Sequence, residues 1–182
     1  MDQYKYVVLF PIPEPDSGHI RTIMDDIASI TGIKPPHHKL PPHVTFHKPL
    51  TGIKEDLLEN LVMSMVLQMK PTRLVLHDLF PFGKEFIVLP VQATRCAAQL
   101  WVGIDANLSR LPKYEHGKYD GDNTLHVTVA EETSLVFDRV WKTVKRKVRV
   151  TPMEVLLDKI CLYRKPIEGG VWDLVRSFPF PR

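Results

Sequence analysis

The chain has 182 residues, enough for one sizeable domain or two small lobes sharing a core. Its 44% hydrophobic and 25% charged residues form an ordinary globular composition, and no apolar run is long enough to span a bilayer. The net charge of +3 suits a phosphate-bearing ligand but is too mild to indicate duplex nucleic-acid binding; Cys96 and Cys161, far apart, argue against a disulfide framework.

The opening Met1-Asp2-Gln3-Tyr4-Lys5 lacks the basic-then-apolar order of a signal peptide, so a reducing cytosol is the expected setting. Tyr4 to Phe10 is β-branched and aromatic and reads as a strand, ended by Pro11 and Pro13. A helix follows to about Thr31, capped by Asp16 or Ser17 and stopped by Gly32. Ile20, Ile23, Met24, Ile27 and Ile30 fall on one face of it. Lys34 to Pro42 is a proline-stiffened loop. His43 to Lys48 alternates as a strand, with Val44 and Phe46 on one face and His43, Thr45 and His47 on the other.

A second amphipathic helix is predicted over Lys54 to Met69. Strands fit Thr72 to Leu79 and Glu85 to Val91, separated by a turn at Pro81-Phe82-Gly83-Lys84. A helix over Thr94 to about Ser109 and the loop Pro112 to Asn123 lead to a strand over Thr124 to Ala130. A helix over Ser134 to Lys145 and strands over Glu154 to Tyr163 and Val171 to Phe178 complete the chain. Strand, helix, loop, His-Val-Thr strand, helix, strand thus occurs twice. That order predicts an α+β protein of two similar lobes, forming one domain over 1–182.

The chemistry rests on Pro42-His43-Val44-Thr45-Phe46 and Leu125-His126-Val127-Thr128-Val129. Residues i and i+2 of a strand share a face, so each motif sets an imidazole beside a hydroxyl while its apolar residues turn inward. One neutral imidazole can accept a proton from attacking water or a neighbouring hydroxyl, and an imidazolium can protonate the leaving oxygen. Threonine hydroxyls can donate to non-bridging phosphate oxygens. A single His-x-Thr in a strand is usually structural. Two copies at equivalent points of a duplicated layout point to a paired site.

The paired tetrapeptides resemble those of the two-histidine (2H) phosphoesterase superfamily, the 2′-5′ RNA ligase-like proteins and cyclic phosphodiesterases. Supporting likenesses are Phe86-Ile87-Val88-Leu89-Pro90-Val91 and the closing Leu162-Tyr163-Arg164…Trp172-Asp173-Leu174. The resemblance implies a bilobed α+β fold with pseudo-twofold symmetry around a central cleft. It also implies acid/base roles for His43 and His126 and phosphate contacts from Thr45 and Thr128. It leaves open which histidine is the acid and which nucleotide phosphodiester is cleaved.

Weaker candidates for substrate binding are Tyr163, Arg164, His47, Tyr114 and His116, the last two within a loop interleaving basic and aromatic residues. His37 and His38 read as surface residues. A metal site drawing on His37, His38, His43 and His47 lacks a recognised ligand spacing and a nearby carboxylate, so no metal and no cofactor are expected. Cys96 and Cys161 both read as core residues. The expected ligand is a nucleotide or an RNA end, bound by a monomer that uses neither membrane nor duplex DNA. The alternative is an RNA- or nucleotide-binding protein, or a 2′-5′ end-joining one, without hydrolytic turnover.

Overall fold

Alternation along the opening strand organises the first half of the molecule. In β1 (Tyr4–Pro11), Tyr6, Val8 and Phe10 enter the main hydrophobic core, while Val7 and Leu9 join a smaller cluster on the opposite face. The computed structural model describes residues 4–34, 40–44, 49–111, 125–131 and 136–181.

β1 pairs along one edge with β9 (Lys159–Pro166), and β10 (Asp173–Pro179) lies outside β9. On its other edge it holds β2 (His43–Val44) near its end and β3 (Leu50–Thr51) near its start. A second sheet is built from β5 (Phe80–Phe82), β6 (Phe86–Pro90) and β7 (His126–Glu131), all antiparallel. β4 (Thr72–Leu76) and β8 (Met153–Leu157) form a ribbon, tied to the end of β6 by the Leu76–Val91 bridge.

The helices are α1 (Asp16–Thr31), α2 (Glu55–Val66), α3 (Arg95–Leu108) and α4 (Phe137–Lys147). β1-α1-β2-α2-β4 and β6-α3-β7-α4-β8 repeat one order, and the contacts repeat with it. α1 packs on α4 and α2 on α3, β2 lies against β7, and the two closing strands β4 and β8 pair with each other. These are the contacts of two halves related by a pseudo-twofold axis through the β4–β8 pair and the β2–β7 contact. One continuous cluster of buried side chains runs through both halves.

Several boundaries differ from those expected. Asp16 and Ser17 do not cap α1. The Glu14 carboxylate accepts from the Gly18 N–H at 2.9 Å and pairs with Arg21, supplying an acceptor from outside the helix. Gly32 stops α1 as expected, at φ 75°, with its N–H donating to the Ala28 carbonyl. Thr94 caps α3, accepting from Ala97 N–H at 3.1 Å.

Phe80–Phe82 is a strand rather than the start of a turn, because it pairs with Phe86–Val88; the chain reverses after it, around Gly83 at φ 62°. Glu154 to Tyr163 is not one strand but two. The chain changes sheets at Asp158, with β8 going to β4 and β9 to β1. Cys161 is buried, whereas Cys96 is exposed: the apolar face of α3 runs through Ala97, Leu100, Trp101, Ile104 and Leu108 and leaves Cys96 outside it.

Candidate active site

Each motif histidine stands opposite a proline that ends a strand of its own half. Pro11 of β1 faces His43, and Pro90 of β6 faces His126. The residue after each proline donates its N–H to the carbonyl before the histidine: Ile12 to Pro42 at 2.9 Å, Val91 to Leu125 at 2.8 Å. Proline has no N–H to offer, so this bond one residue later anchors the pairing. The signal is present in the sequence as Leu9-Phe10-Pro11-Ile12 and Val88-Leu89-Pro90-Val91, but a search for histidine motifs alone does not find it.

Directly opposed residues of an antiparallel pair share a face. His43 therefore lies on the β1 face that carries Val7, Leu9 and Pro11, and its neighbour Val44, fully buried, lies with Phe10 on the core face. By the same parity, His126 and Thr128 share a face with Pro90 and Val88, while Val127 and Val129 are fully buried behind them. β2 and β7 lie against each other, so the two histidine-bearing strands meet.

His43 is half-buried, and its Nδ1 lies 2.8 Å from the Pro41 carbonyl oxygen. A carbonyl only accepts, so Nδ1 carries the proton in that bond and Nε2 of the neutral ring is the free lone pair. Burial is the main influence lowering the His43 pKa below the ordinary imidazole value. The Pro41 bond opposes it, and positive charge on His126 lowers it further. His126 is 8% exposed, with the Phe82 ring tilted against it at a centroid separation of 4.8 Å.

The weaker candidates separate by strand parity. Tyr163 pairs with Val7 and so lies on the His43 face, packed, as are Leu40 and Trp172, against the cluster of Val7, Leu9 and Cys161, where burial raises its phenol pKa. Arg164, one residue on, lies on the other face. Both Glu55 carboxylate oxygens accept from its Nη1, at 2.9 and 3.1 Å, and its guanidinium sits over the Tyr4 ring at 4.9 Å. That turns Arg164 away from the histidines and towards α2. Thr45, His47, Tyr114 and His116 lie outside the described residues, as do His37 and His38. Among the described residues no group of three His, Cys, Asp or Glu is gathered as a metal-ligand set.

Phe82 is the site neighbour that the sequence reading did not single out. Counting along each sheet from the prolines, Phe82 of β5 occupies the place in its half that Tyr163 of β9 occupies in the other. An aromatic ring thus stands on a strand flanking each histidine face.

A family model for the 2′-5′ RNA ligase superfamily matches residues 13–166. No curated protein matches the sequence. Among solved structures, E. coli LigT complexed with 3′-AMP superposes with a TM-score of 0.63 at 15% identity, covering 100% of both chains. TT0787 of Thermus thermophilus gives 0.61 at 18% identity over 97% of each chain. A crystal structure described as a phosphoesterase gives 0.61 at 14%, covering 98% of this chain and 99% of that one. At these identities the superpositions establish the bilobed α+β fold. Matched over most of its length by the family model and carrying His43 and His126 on strands that lie against each other, the chain belongs to the 2′-5′ RNA ligase superfamily of two-histidine phosphoesterases.

Proposed function

We propose that the chain is a metal-independent phosphodiesterase, a single two-lobed domain that hydrolyses a 2′,3′-cyclic phosphate or a related nucleotide or RNA phosphodiester. The observation that carries this reading is the hydrogen bond of His43: Pro41 holds Nδ1–H, so Nε2 is left to accept a proton, on a strand that meets the one bearing His126, and burial lowers the pKa of the ring. In the sequence alone the two histidines are interchangeable. The Pro41 bond to Nδ1, which leaves Nε2 to accept a proton, supports His43 as the base, and His126 then takes the role of the acid.

In the proposed step, water attacks phosphorus as it gives a proton to His43 Nε2. The bond from phosphorus to the 2′ or 3′ oxygen breaks, and His126 protonates the departing oxygen. One water is consumed, and proton exchange with solvent resets the pair. The two imidazoles supply both proton transfers, which leaves no step requiring a metal. Thr128, on the His126 face, and Thr45 by the sequence repeat, donate to the non-bridging oxygens as charge builds there. Tyr163, on the His43 face, stands as a proposed contact to the base. His47, Tyr114 and His116 stand as proposed contacts on sequence grounds alone. The complexes of E. coli LigT with 3′-AMP and ATP support a nucleotide as the ligand.

The test is chelator-treated protein assayed against mononucleotide 2′,3′-cyclic phosphates, RNA ends bearing them, and 2′-5′ linked dinucleotides, with the product phosphate position identified. Turnover of at least one diester without metal is expected. Stoichiometric binding without product, or activity restored only by a metal, would overturn the proposal.

A further inference from the structure

The positive charge of this protein is concentrated in one helix. α4 carries Arg139, Lys142, Lys145, Arg146 and Lys147 against the single carboxylate Asp138, a net +4, while the whole chain sums to +3. The rest of the molecule therefore nets −1. All five cations are exposed, and Arg149 just beyond the helix is a sixth. Among the described residues none of these six takes part in an ion pair.

Their arrangement follows from the helix period. Arg139, Lys142 and Arg146, at i, i+3 and i+7, share one face and line a shallow depression of ≈ 520 Å³ together with Thr143. At 1.5 Å rise per residue the three span about 10 Å along the helix, a row of cations suited to successive phosphates rather than to one. Asp138 lines the same depression at its end. The apolar side of α4 is already used: Phe137 and Val144 are buried, and Val140 and Trp141 pack on the core. No hydrophobic stripe is left to enter a lipid interface, which favours a polyanion over a membrane. α1 packs against both α4 and β7, so the basic face belongs to the same packed unit as His126.

We infer that α4 is a phosphate-backbone docking surface for single-stranded RNA whose reacting end lies at the histidine pair. Its catalytic arm rests on the phosphodiesterase reading above; its binding arm does not. Contacts of this kind are sequence-independent and salt-dependent, and they discriminate a polynucleotide from a mononucleotide.

The experiment compares wild-type protein with Lys142→Glu/Arg146→Glu, two exposed positions outside the core. One arm measures binding of a single-stranded oligoribonucleotide of about 12 nucleotides by fluorescence anisotropy over a salt series. At about 0.7 per phosphate contact, the slope of log affinity against log salt should become shallower by about 1.4 in the double variant. Affinity at low salt should fall by about tenfold or more. The other arm compares turnover of a mononucleotide 2′,3′-cyclic phosphate with that of the same group at the end of the oligoribonucleotide. KM should rise for the oligomer only. Oligomer binding unchanged by the charge reversal overturns the inference, as does wild-type binding to phosphatidylserine vesicles in place of RNA. Loss of turnover on every diester with intact, variant-sensitive RNA binding would instead sink the phosphodiesterase reading and leave the docking surface standing.

Discussion

His43 and His126 are alike in sequence and unlike in surroundings. Pro41 holds one nitrogen of the His43 ring and burial lowers the pKa of that ring, whereas Phe82 packs against His126. Replacing either with Ala should lower turnover by about 10²–10⁴, with the double variant far short of the product, because the pair acts as one unit. Steady-state rates of the three variants check this, and near wild-type rates in both single variants would refute the assignment. Thr128→Val, which keeps shape but removes the donor, should cost about 10²–10³ in kcat with little change in KM. The acid limb of the pH–rate profile should fall below 6.5, since the proposed step needs neutral His43 and its pKa is lowered. Stability follows the same sign. Between the lowered folded pKa and the unfolded value near 6.5, the unfolded chain binds more protons, so stability falls as pH drops through that window. A Tm series for wild type and His43→Gln should show that part of the slope lost in the variant.

At the scale of elements, helix ends and strand partners carry the informative chemistry. Thr94 satisfies an N–H of the first turn of α3, and Thr94→Ala should cost about 1 kcal/mol in urea unfolding. Arg164 and Glu55 join β9 to α2 as a half-exposed pair, worth up to about 1 kcal/mol and no more. Much of this level is legible in the sequence. The α1 period from Ile20 to Ile27 and the stop at Gly32 read directly, because an amphipathic stripe and a left-handed glycine are local properties. The break at Asp158 is not local. Between Glu154 and Tyr163 only the polar pair Asp158-Lys159 interrupts the β-forming run, too briefly to read as a boundary, and it is the two different partners, β4 and β1, that divide it. Phe80–Phe82 escapes for the same reason: proline and the glycine beside it signal a turn, and pairing with β6 overrides them.

At the scale of the whole molecule, the two halves share a core, and the histidine-bearing strands of both meet. Leu74 of β4 and Val155 of β8 are opposed across the pseudo-twofold axis, 1% and 0% exposed. Leu74→Ala should destabilise by about 2–5 kcal/mol. Unfolding should stay a single transition by near-UV and far-UV circular dichroism, because that cavity lies in the cluster common to both halves. Two separated transitions would show instead that the lobes are independent domains. Among the described residues no helix is long and apolar enough to cross a membrane, and the charge excess lies on α4.

The sequence by itself determined the repeated strand–helix order, the faces of the helices and the pairing of each histidine with a threonine, since these depend on periodicity within short segments. Only the tertiary structure decided what lies across space. It set His43 and His126 on strands that meet, and buried His43 so that its pKa is lowered. It brought Phe82 onto His126 and turned Arg164 to Glu55. Burial and electrostatic coupling arise from residues distant in the chain, so two closely similar tetrapeptides acquire different surroundings only when the halves close on each other.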